Sequence, residues 1–524
     1  MTHISELPYI VTEQIFKFAF ANSVDSVDSL SQQLAIPAVC REWRMQAIPL
    51  LSKTLFIESR DGPALASDDM SWVKSSCVNN AVFKSNVTLL DMYSQQRPVK
   101  HLHLTLKDTA HLNSMLISIM IILQRKPQYL SEVTNLTISY QPETSVCNLD
   151  DEESSQYGEL WTKVGIFVKS VTPRIPNIST LHFDIATGNN IIEKLCGGLI
   201  DQYSNNLKYL YTNHPVSYTT HSLSSNITHL HISLDAEENQ QLPKISAKSL
   251  KHLTIENAPY NFSWSTFREE GSTGDIVFSQ LTELNIAYSI SAPFHQQSDC
   301  STWRVGSEGM DEYKVHFPKL HTLKIANQFE SGDLLADDIY PSNLKVLSFE
   351  NSFETAVAFS QQTSLSADSL SVALSDLSAE QEADFYKMTN SFFGKNCSCT
   401  DKKPTRYLRI ANTAFALQAS KVEWSSLTSL EFLGVVDLTC LAELLPKTQL
   451  ISALDAYAVS LISTSIDTDA DQSVPVTPLS ASLETLCLRN LTDDSPAETA
   501  TSFVQNMARR LPSLKTFACG FSRH

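Results

Sequence analysis

One phrase returns along this chain: an apolar residue, two variable ones, a leucine, a variable one, an apolar one. It reads "VKHLHL" at 99, "VTNLTI" at 133, "ISTLHF" at 178, "LKYLYT" at 207, "ITHLHI" at 227, "LKHLTI" at 250 and "LTELNI" at 281. It continues as "LHTLKI" at 320, "LKVLSF" at 344, "DSLSVA" at 368, "TRYLRI" at 405, "LTSLEF" at 427, "LETLCL" at 483 and "LKTFAC" at 514. The last positions alternate, so each copy predicts a short strand with one buried face. Central leucines fall 20 residues apart from Leu210 to Leu230, 23 from Leu230 to Leu253 and 22 from Leu408 to Leu430. Unequal gaps, 39 residues from Leu284 to Leu323 and 56 from Leu430 to Leu486, must hold loops or a degenerate copy such as "LISALDAY" at 450. The strand leucines Leu230, Leu253, Leu323, Leu347 and Leu430 are expected in the core, and stretches such as "TAHLNSMLISIMIILQ" at 109–124 read as helical returns.

Strand units at this period resemble leucine-rich repeats, which stack one unit on the next. The resemblance implies an α/β chain: an irregular solenoid with a single parallel sheet. Leucine-rich repeats usually carry an Asn three residues after the last apolar strand position. Here Asn257, Asn327, Asn351, Asn412 and Asn490 stand two residues after it, an offset expected to weaken any asparagine ladder.

If the strands share one parallel sheet, the early copies turn His101/His103, Asn135/Thr137, Thr180/His182, Tyr209/Tyr211, His229/His231 and His252/Thr254 outward. Eight of these twelve are His or Tyr, which marks a recognition face for a protein substrate. The alternative is that rings are simply tolerated at half-buried strand positions. Later copies offer Glu283/Asn285, Thr322/Lys324, Val346/Ser348, Tyr407/Arg409 and Ser429/Glu431, a more ordinary set in which Arg409 and Lys324 are local anion candidates.

The amino terminus follows another rule. Pro8 suits a first helical turn, and Ile10, Val11, Ile15, Phe16 and Phe18 recur near helical spacing opposite Glu13, Gln14 and Lys17. After the polar "ANSVDSVDS" at 21–29, Leu30, Leu34, Val39, Trp43 and Ala47 resume the pattern. Short helices cannot bury so many large groups among themselves, so some face a partner. The order Leu7-Pro8, Ile15-Phe16, then Val39-Cys40-x-x-Trp43-Arg44 and "PLLSKTLFIE" at 49–58 resembles an F-box over residues 4–57. That family's all-helical module docks the Skp-type adaptor of cullin–RING ubiquitin ligases. By resemblance, Leu7, Pro8, Val11, Ile15, Val39, Cys40, Trp43 and Arg44 are adaptor-binding residues. The interval from Leu7 to Cys40 is longer than the family's, and the Ser/Asp stretch accounts for the excess as a loop. The apolar stripe taken alone equally fits a helical cap over the repeats.

Charge and chemistry exclude other classes. With 57 acidic groups against 39 basic ones the net charge is −18, which disfavours nucleic acid and a dedicated phosphate face while tolerating a basic partner. The greasiest run, "MLISIMIIL" at 115–123, is too short to cross a bilayer, and Glu6, Glu13 and Lys17 interrupt any export signal. Ten scattered cysteines fit a reducing compartment, so the expected location is cytoplasmic and/or nuclear, with no membrane partner. There is no Gly-x-x-x-x-Gly-Lys loop and no Gly-x-Ser-x-Gly elbow. Cys397-Ser-Cys399 lacks the second pair a zinc site needs, and His101-x-His103 and His229-x-His231 lack a carboxylate or thiol at ligand spacing. No catalytic residue, metal or cofactor is therefore expected.

The expected domains are an F-box-like module at 1–60, a helical linker or first cap at 61–98, and the repeats at 99–524. Loop inserts are expected near 141–160, 289–316, 378–404 and 463–480. The expected function is a substrate-recognition subunit of an SCF-type ubiquitin ligase. The alternative is a non-catalytic repeat scaffold without a ligase role.

Overall fold

The structure is a computed structural model of the 524-residue chain. It describes residues 53–61, 74–78, 81–85, 98–107, 115, 119, 130–142, 154–188, 190–216, 223, 225–234, 244–259, 262, 264–268, 274–289, 315–327, 343–361, 366–394, 405–460, 480–492 and 510–521. The F-box-like segment up to Ser52 lies outside these residues, as do Cys397 and Cys399. The chain divides into two compact units, Met1–Pro259 with Trp264–Ser272, and Tyr260–Ser263 with Thr273–His524.

The first unit is built on parallel strands laid down in chain order. They are β1 (Thr54–Asp61), β4 (His101–Leu106), β5 (Asn135–Tyr140), β6 (Thr180–Ile185), β7 (Tyr209–Thr212), β8 (His229–Ser233) and β9 (His252–Ala258). The register aligns the central leucines, Leu55, Leu102, Leu136, Leu181, Leu210, Leu230 and Leu253, in one row. Every one of these is at most 2% exposed. The apolar residues three positions earlier, Val99, Val133, Ile178, Leu207, Ile227 and Leu250, form a second row at 0%. Burying one such side chain is worth roughly 1.5–3 kcal/mol, so the repeated phrase is the core itself. Thr212 breaks the apolar row after the leucines, and its buried hydroxyl donates to the His214 carbonyl at 2.5 Å.

Parallel neighbours need a crossover, and here helices supply two of them. Helix α1 (Ser154–Val171) joins β5 to β6, and α2 (Asn190–Tyr203) joins β6 to β7. Ile191, Ile192, Leu195, Cys196, Leu199, Ile200 and Tyr203 give α2 its buried stripe at helical period. Gly198 admits Val168 of α1, whose Cγ2 would sit 3.4 Å from an added Cβ. Between β4 and β5, Met115 and Ile119 are helical and fully buried, in keeping with the predicted return.

One expectation about the start of the repeats is corrected. Residues 54–57, read as the end of the F-box, belong to β1, because Leu55-x-Ile57 alternates like every other copy and pairs with Leu102 and Leu104. Of the stretch 61–98, expected as a helical linker or first cap, only Asp61, 74–78, 81–85 and Pro98 are described. The stretch carries β2 (Lys74–Val78) and β3 (Ala81–Ser85), an antiparallel hairpin that pairs through β3 with β1. The sequence signal was available: two asparagines, which favour tight hairpin turns, separate the two runs. The hairpin also covers what would otherwise be an open sheet edge on β1.

The second unit repeats the plan. Its parallel strands are β11 (Glu283–Tyr288), β13 (Thr322–Ala326), β14 (Asn343–Glu350), β15 (Ser366–Leu377), β16 (Thr405–Thr413), β17 (Ser429–Asp437), β18 (Ala453–Ser460), β19 (Thr485–Thr492) and β20 (Thr516–Phe521). A short parallel pair, β10 (Ile276–Val277) and β12 (Val315–His316), stands apart from them within the unit. The degenerate copy at 450 is β18, with Leu454 beside Leu430 and Leu486. Helices α3 (Phe353–Ser360), α4 (Glu382–Phe393) and α5 (Leu438–Leu444) accompany this sheet. The loops expected near 141–160 and 378–404 are therefore corrected in part: α1 begins at Ser154 and α4 fills 382–393. The 463–479 stretch lies outside the described residues, and of the 289–316 insert only Ser289 and the β12 pair are described.

The register steps by two at β15. Leu370 aligns with Leu347 on one side, whereas on the other it is Val372 that aligns with Leu408. Twelve residues in β15 leave room for both alignments.

The asparagines are put to use in spite of their shifted offset, which corrects the expectation of a weakened ladder. Asn257, Asn327 and Asn351 adopt left-handed φ of 53°, 57° and 46°, a region Asn tolerates better than other side-chain-bearing residues. Asn351 Nδ2 donates to Asn327 Oδ1 at 3.4 Å, and Asn351 Oδ1 accepts from Ser375 Oγ at 2.8 Å, linking three successive strands. In the first unit Asn257 Nδ2 donates to Ser233 Oγ at 3.0 Å. Asn412 and Asn490 fall instead within β16 and β19.

Candidate functional site

The in-register stacking that aligns the leucines aligns the outward residues too. One row runs Thr54, His101, Asn135, Thr180, Tyr209, His229, His252, and a second runs Phe56, His103, Thr137, His182, Tyr211, His231, Thr254. All eight ring residues expected from the sequence sit in these two rows. Phe56 joins them, missed because β1 was read as part of the helical module.

Adjacent strands are about 4.8 Å apart, close to the thickness of stacked rings, so neighbouring aromatics settle face to face. In the first row Tyr209 stacks on His229 at 4.3 Å and His229 on His252 at 4.3 Å, with interplanar angles of 23° and 15°. In the second, His182 stacks on Tyr211 at 4.1 Å and 13°, and Tyr211 meets His231 at 4.3 Å and 49°. Phe56 and His103 meet at 5.4 Å. Rings stacked along the row turn their edges away from the sheet, so the surface offers imidazole nitrogens and phenol hydroxyls above a rigid floor. Tyr209 is the more open of the two tyrosines on this face, at 42% exposed.

Polar partners fix several edges. His103 Nε2 lies 3.1 Å from Ser139 Oγ, Thr228 Oγ1 lies 2.9 Å from His229 Nδ1, and His231 Nε2 comes within 3.1 Å of Glu256 Oε1. Glu256 was not foreseen, because the carboxylate reaches His231 from the neighbouring strand rather than along one strand. Hydrogen bonding from His231 holds the Glu256 carboxyl below its ordinary range, against the opposing effect of burial. Burial also lowers the His101 pKa, with the Lys53 charge adding to it. At His103 burial, aided by His182, brings the pKa down to about 4.

A pH dependence follows with a definite sign. Between pH 6.5 and 4 the unfolded chain binds a proton at His103 that the folded chain refuses. Stability is therefore full above pH 6.5 and falls as the pH drops, by about 3 kcal/mol from this ring at the acid end. Urea midpoints between pH 7 and 4.5 are expected to fall less steeply in His103→Gln than in the parent. Parallel slopes would place the burial penalty elsewhere.

The second unit's outward residues form pairs instead of stacks. Arg409 Nε stands 3.9 Å from Glu431, Tyr407 donates its hydroxyl to the same carboxylate, and Arg489 meets Asp455 at 2.6 Å. Lys324 lies 3.9 Å from Glu283. The two local anion candidates, Arg409 and Lys324, thus each face a carboxylate of their own. Among the described residues no group of three or more His, Cys, Asp or Glu is arranged to hold a metal ion. Within the same residues no helix is long and apolar enough to cross a membrane.

The adaptor-binding residues expected from the sequence, Leu7, Pro8, Val11, Ile15, Val39, Cys40, Trp43 and Arg44, lie outside the described residues. No protein-family model matches the chain. Its sequence likewise matches no curated protein.

Proposed function

We propose that this protein is the substrate-recognition subunit of an SCF-type cullin–RING ubiquitin ligase. The amino-terminal F-box-like segment docks a Skp-type adaptor, and leucine-rich-repeat-like strands hold a protein substrate for ubiquitin transfer. The receptor catalyses nothing itself. One observation carries this reading: the Leu7-Pro8 and Val39-Cys-x-x-Trp43-Arg44 signatures precede a stack of parallel strands whose outward face is lined with ordered rings. Rigid aromatic edges give large contact area at small entropic cost, which suits recognition of another protein.

Copurification tests both halves. A Skp-type adaptor is expected with the full chain and lost on deleting residues 1–53. Captured substrate is expected to be lost instead in the Tyr211→Ala, His231→Ala double variant. Retention of every partner except the adaptor in the deletion, with no ubiquitin transfer in the parent, would favour the scaffold reading.

A further inference from the structure

The ring rows have a margin that the function proposed above leaves unused. Immediately before each strand's first outward residue stands one more in-register position: Lys53, Lys100, Thr134, Ser179, Lys208, Thr228 and Lys251. Backbone hydrogen bonds tie it into a continuous row: Lys100 N donates to Lys53 O at 2.8 Å, Lys208 N to Ser179 O at 2.8 Å, Thr228 N to Lys208 O at 2.8 Å and Lys251 N to Thr228 O at 2.8 Å. Lys53, Lys208 and Lys251 are exposed, and Lys100 is half-buried with its Nζ on Glu132 at 2.7 Å. The face's own carboxylates, Glu58, Asp184 and Glu256, sit at the opposite, carboxyl-terminal margin of the rings. A chain with a net charge of −18 therefore places a basic row along one side of its ring face.

We infer that the partner of this face presents an unmodified acidic segment in the polyproline II conformation, laid across the strands, with carboxylates three residues apart along Lys208 and Lys251. The spacing follows from geometry. Two strand intervals separate Lys208 from Lys251, about 10 Å, and a polyproline II chain, with three residues per turn and a rise of about 3.1 Å, returns its side chains to one side at about that distance. The intervening residues then lie over Thr228, beside the stacked edges of Tyr209, His229 and His252. Opposite charges along such a margin guide encounter and fix direction more than they add affinity, and salt weakens them.

This inference rests on the ring face being where the partner sits, so the test separates the two. The probe is a fluorescein-labelled peptide of repeating Glu-Ser-Gly, titrated into the full-length protein. Two controls are a peptide of equal composition with its glutamates clustered and one with Lys for Glu. The expected result is binding of the spaced peptide, weaker binding of the clustered one, and a loss of about tenfold or more in Lys208→Glu, Lys251→Glu. Lys208→Gln, Lys251→Gln should show a smaller loss, and unchanged thermal unfolding guards against misfolding. Binding that ignores both lysine variants overturns the inference, as does equal binding of the Lys peptide or tighter binding of a single-stranded oligonucleotide through the same lysines. If the lysine variants bind normally while Tyr211→Ala, His231→Ala does not, the acidic segment falls and the ring face stands. If only the lysine variants lose the peptide, the acidic segment is supported and the ring face falls.

Discussion

Trp424→Ala is expected to destabilise the second unit by about 3–5 kcal/mol, a large share of an ordinary domain's total stability. The indole is fully buried, with ring edges of Phe385 and Phe393 from α4 at 6.3 and 6.5 Å. The loop that carries it is clamped to the same helix: Asn390 Nδ2 donates to Lys421 O at 2.8 Å and its Oδ1 accepts from Glu423 N at 2.9 Å. Collapse of the void would have to drag α4 away from β17, so relaxation is limited. Trp424→Phe makes an informative contrast. It leaves a smaller void, worth about 1 kcal/mol, but removes the Nε1–H, which is buried without a hydrogen-bond partner. Relieving that group returns about 1–3 kcal/mol, so the Phe variant is expected within about 1 kcal/mol of the parent. Chemical denaturation reads both values. A Phe variant as unstable as the Ala variant would mean that the indole N–H has a partner after all.

The parallel sheet was legible in the sequence because one strong constraint repeats. Each Leu-x-apolar pair must face inward, so the leucines and the ring residues separate onto opposite faces without further information. That is why all eight ring residues fell where the alternation put them, with Tyr209 beside His229 and Tyr211 beside His231. Contacts between strands were not legible. Glu256 lies 25 residues from His231, Ser139 lies 36 from His103, and only register brings each pair together. β1 is hidden in the sequence because Ser52 stands where the other copies of the first unit carry an apolar residue, which leaves the helical signature on its amino-terminal side to claim it. The return segments were misjudged for a different reason. "EADFYKMTNSFF" mixes charge with aromatics, and its buried face shows only once Phe385, Met388 and Phe393 pack against the sheet. The asparagines were counted from the wrong end: their left-handed φ, not their distance from the last apolar residue, lets them bridge strands.

The central claim is adaptor docking, and the residues that would carry it are few. Leu7 and Pro8 open the first predicted helix, and the segment holding them ends where β1 begins at Thr54. The hydrogen-bonding edges of β1 are filled by β3 on one side and β4 on the other. Replacing both with Ala should therefore separate docking from folding. The direct measurement mixes the purified full chain with a purified Skp-type adaptor and follows the complex by size-exclusion chromatography and calorimetric titration. The parent is expected to form one stoichiometric complex. The Leu7→Ala, Pro8→Ala variant is expected to form none while unfolding at the parent's temperature. A parent that does not bind the adaptor, or a variant that binds it undiminished, would contradict the account.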